Sequence, residues 1–237
     1  MSRSIPALTT AQMAEVDRLM IEEYGTQSVL IQMMENAGRN LAEQARRTLG
    51  GKLAGRHIVV LCGAGNNGGG GMVAARHLHN RGADIQVKLI ADPDKLKNIP
   101  AHQWRILQTI GIALEYTLDL ARADLIIDAI IGYGLTGNPH GEAAEWIEQA
   151  NRSGCPILAL DAPSGLDTTS GLAGQPCIGA TATVTLALPK TGLIAPQAQP
   201  FVGELYLADI GVLPELYRRI GLEVGTLFAE ETIIRID

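Results

Sequence analysis

Three short segments carry the residue types that could do chemistry. Asp161 ends the apolar run Pro156-Ile157-Leu158-Ala159-Leu160 and is followed by Ala162-Pro163-Ser164-Gly165-Leu166-Asp167. A carboxylate at the carboxyl end of a strand is where an acid–base group of an open α/β sheet sits. Pro163 and Gly165 fix a tight turn there, and an Asx or Ser turn is the plain structural alternative. Asp128 lies inside the apolar run 125–131. A carboxylate in such a strand is costly unless it is paired, hydrogen-bonded or metal-bound. A second glycine-rich stretch follows, Gly132-Tyr133-Gly134-Leu135-Thr136-Gly137-Asn138. The third segment is GAGNNGGGG, Gly63 to Gly71. Backbone N–H groups at a helix N-terminus suit phosphate, and the amides of Asn66 and Asn67 can bind polar groups or a cation. Gly63-x-Gly65-x-x-Gly68 has dinucleotide-loop spacing. Asp92 is a late candidate for the acidic residue such a loop needs about 20 positions on.

Other signals are weaker. Ser164 is not in a G-x-S-x-G elbow, so a serine hydrolase is not supported. Lys190-Thr191 lacks the preceding glycines of a Walker A loop. His77 and His79 are about 200° apart around a helix and do not chelate one metal easily. His140 could border a ligand, and Met33 and Met34 read as core.

These segments need a sheet to hold them. Runs at 57–62, 85–90, 123–131 and 156–161 are apolar on both faces and alternate with helical stretches at 71–81, 102–110 and 142–152. That rhythm predicts a parallel sheet covered on both sides. The runs 182–188 and 203–209 extend it, with their direction open. Ahead of the sheet, Thr9 and Gln12 predict a capping box and a helix to about Tyr24, stopped by Gly25. A second helix is predicted from about Val29 to Leu49.

Composition narrows the function classes. The 237 residues are 46% hydrophobic with 27 glycines, which excludes a disordered chain. A net charge of -6 and 4% aromatic content give no whole-molecule field for nucleic acid or anionic lipid and no stacking platform for bases. Cys62, Cys155 and Cys177 form no C-x-x-C and fit a reducing compartment. No apolar run reaches ~18 residues and the N-terminus shows no Sec-type signal. The expectation is a soluble cytoplasmic chain, one domain over 1–237, binding neither nucleic acid nor membrane.

In order along the chain, Met34-Glu35-Asn36-Ala37-Gly38, the GAGNNGGGG loop, the Asp128–Gly134 stretch, Leu160–Asp167, Pro189-Lys190-Thr191-Gly192-Leu193 and Asp209-Ile210-Gly211 resemble the YjeF N-terminal domain family. Its enzymatic members are NAD(P)H-hydrate epimerases. The resemblance implies an α/β fold, a three-layer α/β/α Rossmann-like sandwich with a mostly parallel central sheet. It implies interconversion of R- and S-NADHX and NADPHX, the hydrated forms of NADH and NADPH, in cofactor repair. It implies substrate contacts from Asn66, Asn67, Gly68, Gly69 and Gly70, from Gly132, Tyr133, Gly134, Leu135, Thr136, Gly137 and Asn138, and from Asp161, the catalytic candidate. It implies a potassium ion held by Asn67, Asp128 and Ser164, a homodimer, and a functional link to an NAD(P)H-hydrate dehydratase. No dehydratase follows Asp237, so a stand-alone module or an excised half is expected.

The chain departs from the family pattern at three places. Gly70 stands where the family usually has Asp, Tyr133 where it has Thr, and Ala162 where it has Ile. The first two predict reduced epimerase activity. They also keep open an alternative, a non-catalytic or altered-specificity nucleotide-binding or scaffold module of the same fold. An NAD-dependent dehydrogenase leaves the paired asparagines and the Asp161–Gly165 turn without a role.

Overall fold

The computed structural model describes residues 5–96, 98–114 and 118–236. Helix α1 (Thr10–Tyr24) starts at the expected capping box: the Gln12 N–H donates to the Thr9 side chain, and the Thr9 N–H donates to the Gln12 side chain at 2.9 Å. Gly25, at φ 85°, both stops α1 and caps α2 (Thr26–Thr48). It turns the chain so sharply that α2 begins before the expected Val29, since glycine carries no Cβ penalty there.

The sheet region follows as β1 (His57–Cys62), α3 (Asn66–His79), β2 (Asp84–Leu89), α4 (Asn98–Thr109), β3 (Ala113–Leu114), β4 (Leu125–Ala129), α5 (Gly141–Arg152) and β5 (Ile157–Leu160). It continues through β6 (Ala182–Leu186), α6 (Gln199–Val202), β7 (Glu204–Ala208), α7 (Pro214–Arg219) and β8 (Ile233–Ile236). One eight-stranded sheet has the order β3-β2-β1-β4-β5-β6-β7-β8. Every neighbouring pair is parallel except the last, β7 with β8. The directions left open by the sequence are therefore parallel for β6 and β7. The short edge strands β3 and β8 were not foreseen.

Alternate residues of β1 face opposite layers, as a pleated strand requires. Ile58, Val60 and Cys62 pack with Leu41 of α2, Met72 and Leu78 of α3 and Trp104 of α4. Val59 and Leu61 pack with Trp146, Ile147 and Ala150 of α5 on the other side. Helices thus cover both faces, the three-layer arrangement expected. A separate cluster joins Met13, Val16 and Leu19 of α1 to Leu207 and to Leu216 of α7.

One expectation is corrected. The asparagine–glycine run is no extended loop: α3 begins at Asn66, and Gly68 to Gly71 lie inside it. Close approach is the reason. A Cβ on Gly68 would stand 1.9 Å from the Gly63 carbonyl oxygen, and one on Gly71 would stand 2.6 Å from the Ala129 Cβ. A Cβ on Gly38 of α2 would meet the Gly70 carbonyl oxygen at 2.7 Å. Each helical glycine costs about 1 kcal/mol against alanine, and tight seating of α3 against β1, β4 and α2 offsets it.

Candidate active site

The chain runs outward one way from β1 through β2 to β3, then returns to place β4 on the other side of β1. Ligands of open α/β sheets bind at such a reversal, beyond the carboxyl ends of the strands. A cavity of about 470 Å³ lies there, within the usual range for small-molecule sites. Its polar wall is built from four strand ends: Asn66 and Asn67 after β1, Tyr133 after β4, Asp161 after β5 and Lys190 after β6. Its apolar wall is Met13 of α1 with Leu30, Met33 and Met34 of α2. The two methionines expected only in the core therefore also face the ligand space.

Asp161 is 3% exposed and sits at φ 66°, a left-handed conformation uncommon outside glycine. Its N–H donates to the Val184 carbonyl at 2.7 Å, which fixes the backbone to β6. One carboxylate oxygen, Oδ2, accepts the Tyr133 N–H at 3.0 Å. The other, Oδ1, accepts from Lys190 Nζ at 2.5 Å. Lys190 is 1% exposed and donates also to the Leu186 carbonyl (3.0 Å) and Thr185 Oγ1 (3.3 Å). All three ammonium hydrogens thus have acceptors. Residue types alone did not single out Lys190, because the residues before it carry no phosphate-loop glycines. A lysine shortly after a strand whose Thr183 and Thr185 point inward was the available signal.

Tyr133 links two carboxylates. Its N–H meets Asp161, and its hydroxyl donates to Asp17 Oδ2 at 2.5 Å. Its ring lies 5.7 Å from Lys190 Nζ. Burial pushes the Asp17 carboxyl above its usual range, against the pull of the Tyr133 hydroxyl. Burial, reinforced by the Asp17 charge, likewise raises the Tyr133 phenol. Asp17, on α1, had no sequence signal: it falls at a helical position between Val16 and Arg18.

Asp128 is fully buried in β4. Its Oδ1 accepts from Ser164 Oγ (2.6 Å) and the Ile130 N–H (3.2 Å), and its Oδ2 accepts the Ser164 N–H (2.8 Å). Burial pushes its carboxyl up to about 6 despite these hydrogen bonds. Ser164 Oγ also accepts the Ile131 N–H at 2.8 Å. Asp128 and Ser164 are therefore brought together, as expected. Asn67 turns elsewhere: with its side-chain amide assigned by its surroundings, nitrogen toward the Leu160 carbonyl and oxygen toward the Gly132 N–H, both lie at 3.3 Å. The donor set is oxygen throughout with one carboxylate, and Asp128 Oδ2 meets a single donor. That chemistry fits a monovalent hard cation. Among the described residues no group of three His, Cys, Asp or Glu could hold a metal.

The remaining candidates divide. Asn66, Asn67, Gly70, Gly132, Tyr133 and Gly134 line the cavity with Asp161. Gly68 and Gly69 are buried in helix packing, Gly69 against Met34. Leu135, Thr136, Gly137 and Asn138 lie outside the lining, and Asn138 Oδ1 accepts the Gln175 N–H at 3.1 Å. Asp92 caps a short turn, accepting the Asp94 N–H at 3.1 Å, and His77 bonds Glu35 at 2.8 Å. Neither faces the cavity.

The family model described as "YjeF-related protein N-terminus" matches residues 30–192. A protein of Dehalogenimonas lykanthroporepellens named NAD(P)H-hydrate epimerase is 42% identical over 223 residues, covering 93% of this chain and 88% of that protein. The bifunctional NAD(P)H-hydrate repair enzyme Nnr of Moorella thermoacetica is 40% identical over 88% of this chain, which spans 41% of the bifunctional protein. The crystal structure of the yeast protein ynu0 superimposes with a TM-score of 0.83 over 98% of this chain and all of that one, at 23% identity, and shares the fold.

Proposed function

The chain belongs to the YjeF-related protein N-terminal family, and from that premise we propose that it epimerises the R and S forms of NADHX and NADPHX. The observation that carries this reading is the buried Asp161–Lys190 pair inside the cavity at the sheet's reversal. Burying a lysine and an aspartate together is expensive, and a pair so placed serves chemistry better than it serves stability. Asp161, with both oxygens oriented and a cation beside it, is the acid–base group at the hydrated nicotinamide carbon. The methionine wall supports the flat ring, and the uncapped N-terminus of α3 at Gly65 favours the pyrophosphate. The run 135–138, exposed from Thr136 onward, is left for the more distant part of the dinucleotide.

Asp128 and Ser164 would hold a potassium ion, and Asn67 would join them by turning its amide oxygen from the Gly132 N–H. The ion's positive charge would compensate Asp128 and draw together the turns after β1, β4 and β5. A non-catalytic module of the same fold leaves the Asp161–Lys190 pair without a task. By kinship with the bifunctional enzymes, a dehydratase acting on the S form is the functional partner. The free thiols Cys62, Cys155 and Cys177 support a cytoplasmic setting, and no helix among the described residues is long and apolar enough to cross a membrane. A homodimer completes the reading.

The test is epimerisation of purified R-NADHX, with the epimers separated by chromatography, in potassium and in choline buffers. Conversion to the S form, faster with potassium, supports the reading. No conversion in either buffer overturns it.

A further inference from the structure

Epimerisation moves a hydroxyl from one face of a ring carbon to the other. If the hydroxyl leaves and water returns, a proton must be given on one face and taken on the other. The cavity holds two carboxylates for one such exchange. Asp161 meets the backbone N–H of Tyr133, and Asp17 meets its hydroxyl, so the two groups stand at opposite ends of one residue. They come from different layers, Asp17 from α1 and Asp161 from the end of β5. Both line the same cavity.

Their settings differ in the sense a two-group mechanism needs. Asp161 has a buried ammonium bonded to it. Among the described residues no arginine or lysine pairs directly with Asp17; Lys190 acts on it only at longer range. One cation between two carboxylates leaves one negative charge uncompensated. The carboxylate without a contact cation is the one that takes up a proton more readily. Burial of Asp17 acts in the same direction.

We propose that Asp17 is a second catalytic carboxylate, the acid that pairs with Asp161 as base across the epimerised carbon. This rests on the epimerase reading above. Protonated Asp17 gives its proton to the hydroxyl of the hydrated carbon. The C–O bond breaks with its electron pair on oxygen, water departs, and the adjacent ring nitrogen's lone pair forms a C=N bond. Water then adds from the opposite face, the C=N pair returns to nitrogen, and the Asp161 carboxylate takes the released proton. Nothing is oxidised or reduced. The reverse epimerisation uses the same groups in exchanged roles. Tyr133 is the positioning residue that sets the distance between them.

The test compares wild type, Asp17→Asn, Asp161→Asn and Tyr133→Phe on separate R- and S-NADHX in water enriched in oxygen-18. Asp17→Asn is expected to lower kcat by ~10²-fold or more with KM little changed. Each Asn variant keeps one group, so each should exchange the oxygen of one epimer without inverting it, and the two variants should choose opposite epimers. A purely structural role would not produce that split. Wild-type kcat in Asp17→Asn, or exchange of the same epimer in both variants, overturns the proposal. Should Asp17→Asn melt below the assay temperature, Tyr133→Phe decides: kcat is expected to fall about tenfold, and an unchanged kcat overturns it. A wild type that epimerises while Asp17→Asn is unaffected overturns this proposal alone. A wild type that converts neither epimer overturns the epimerase reading with it.

Discussion

Asp161 is held where few non-glycine residues settle, at φ 66°, a conformation that costs of order 1–3 kcal/mol and is kept where surroundings over-determine it. The surroundings here are the Val184 carbonyl, the Tyr133 N–H and Lys190. Asparagine tolerates this conformation well, so Asp161→Asn should fold. It leaves the Lys190 ammonium buried with only neutral acceptors, and loss of a charged partner from a buried pair costs about 3–5 kcal/mol. The melting temperature should therefore drop while epimerisation falls ~10²-fold or more. Unchanged turnover would remove Asp161 from the mechanism. For Asp128, potassium chloride at fixed ionic strength should raise the melting temperature of the wild type above its value in choline chloride. Asp128→Asn should abolish that difference, and an equal shift in both proteins would dismiss the cation site. Gly70 is helical and faces the cavity, so φ is no obstacle to a side chain there. The obstacle is Leu160 Cδ2, 2.8 Å from where a Cβ would be, and it is the movable tip of a side chain. Gly70→Asp is expected to raise kcat/KM on R-NADHX about tenfold, the worth of a hydrogen bond to a charged group. No gain would show that the missing carboxylate is not what limits the rate.

At the scale of elements, α2 and α3 form the unit that carries the first turn of the site. Glu43 of α2 bonds Arg46 of its own helix at 2.7 Å and Arg81, in the turn after α3, at 3.0 Å, which ties α2 to that turn. The Arg46 hydrogen bond, aided by Arg81, holds the Glu43 carboxyl at about 2, below its ordinary 4.5. A lowered carboxyl contributes stability that is present above the unfolded value and lost as pH falls through the folded one. The contribution should fade from about pH 4.5 to about pH 2, and after solvent screening it is about 1 kcal/mol. Urea melts of Glu43→Gln should show a flatter acid limb; identical limbs would place the link outside the stability balance. The elements also show what the sequence makes legible. β1, β4 and β5 are apolar on both faces, and that pattern has one explanation, a sheet covered twice. The glycines before Met72 were harder to read. Composition alone does not distinguish a phosphate loop from a helix stripped for close packing, and the contact with Gly38 of α2 decides it. Asp128 and Asp161 were legible because a carboxylate in or after an apolar strand needs a reason. Asp17 and Lys190 were not, because their meaning lies in partners 116 and 29 residues away.

For the whole molecule, the antiparallel strand β8 covers the edge of β7, where Leu205 and Leu207 are buried. An open hydrophobic edge recruits other strands. Truncation before Ile233 should lower stability and give concentration-dependent association by light scattering; a monodisperse, equally stable truncation would make β8 dispensable. The pair that completes the site also has a place in time. Asp161 leaves the ribosome 29 residues before Lys190, which at bacterial or eukaryotic synthesis rates is roughly 1.5 to 6 seconds. During that interval the nascent chain lacks both the cation that neutralises Asp161 and the β6 carbonyl that anchors the turn's backbone. Capacity to act on a ligand thus arrives in one late step, after the sixth strand has been added. A chain terminated before Lys190 is expected to be silent rather than partly active.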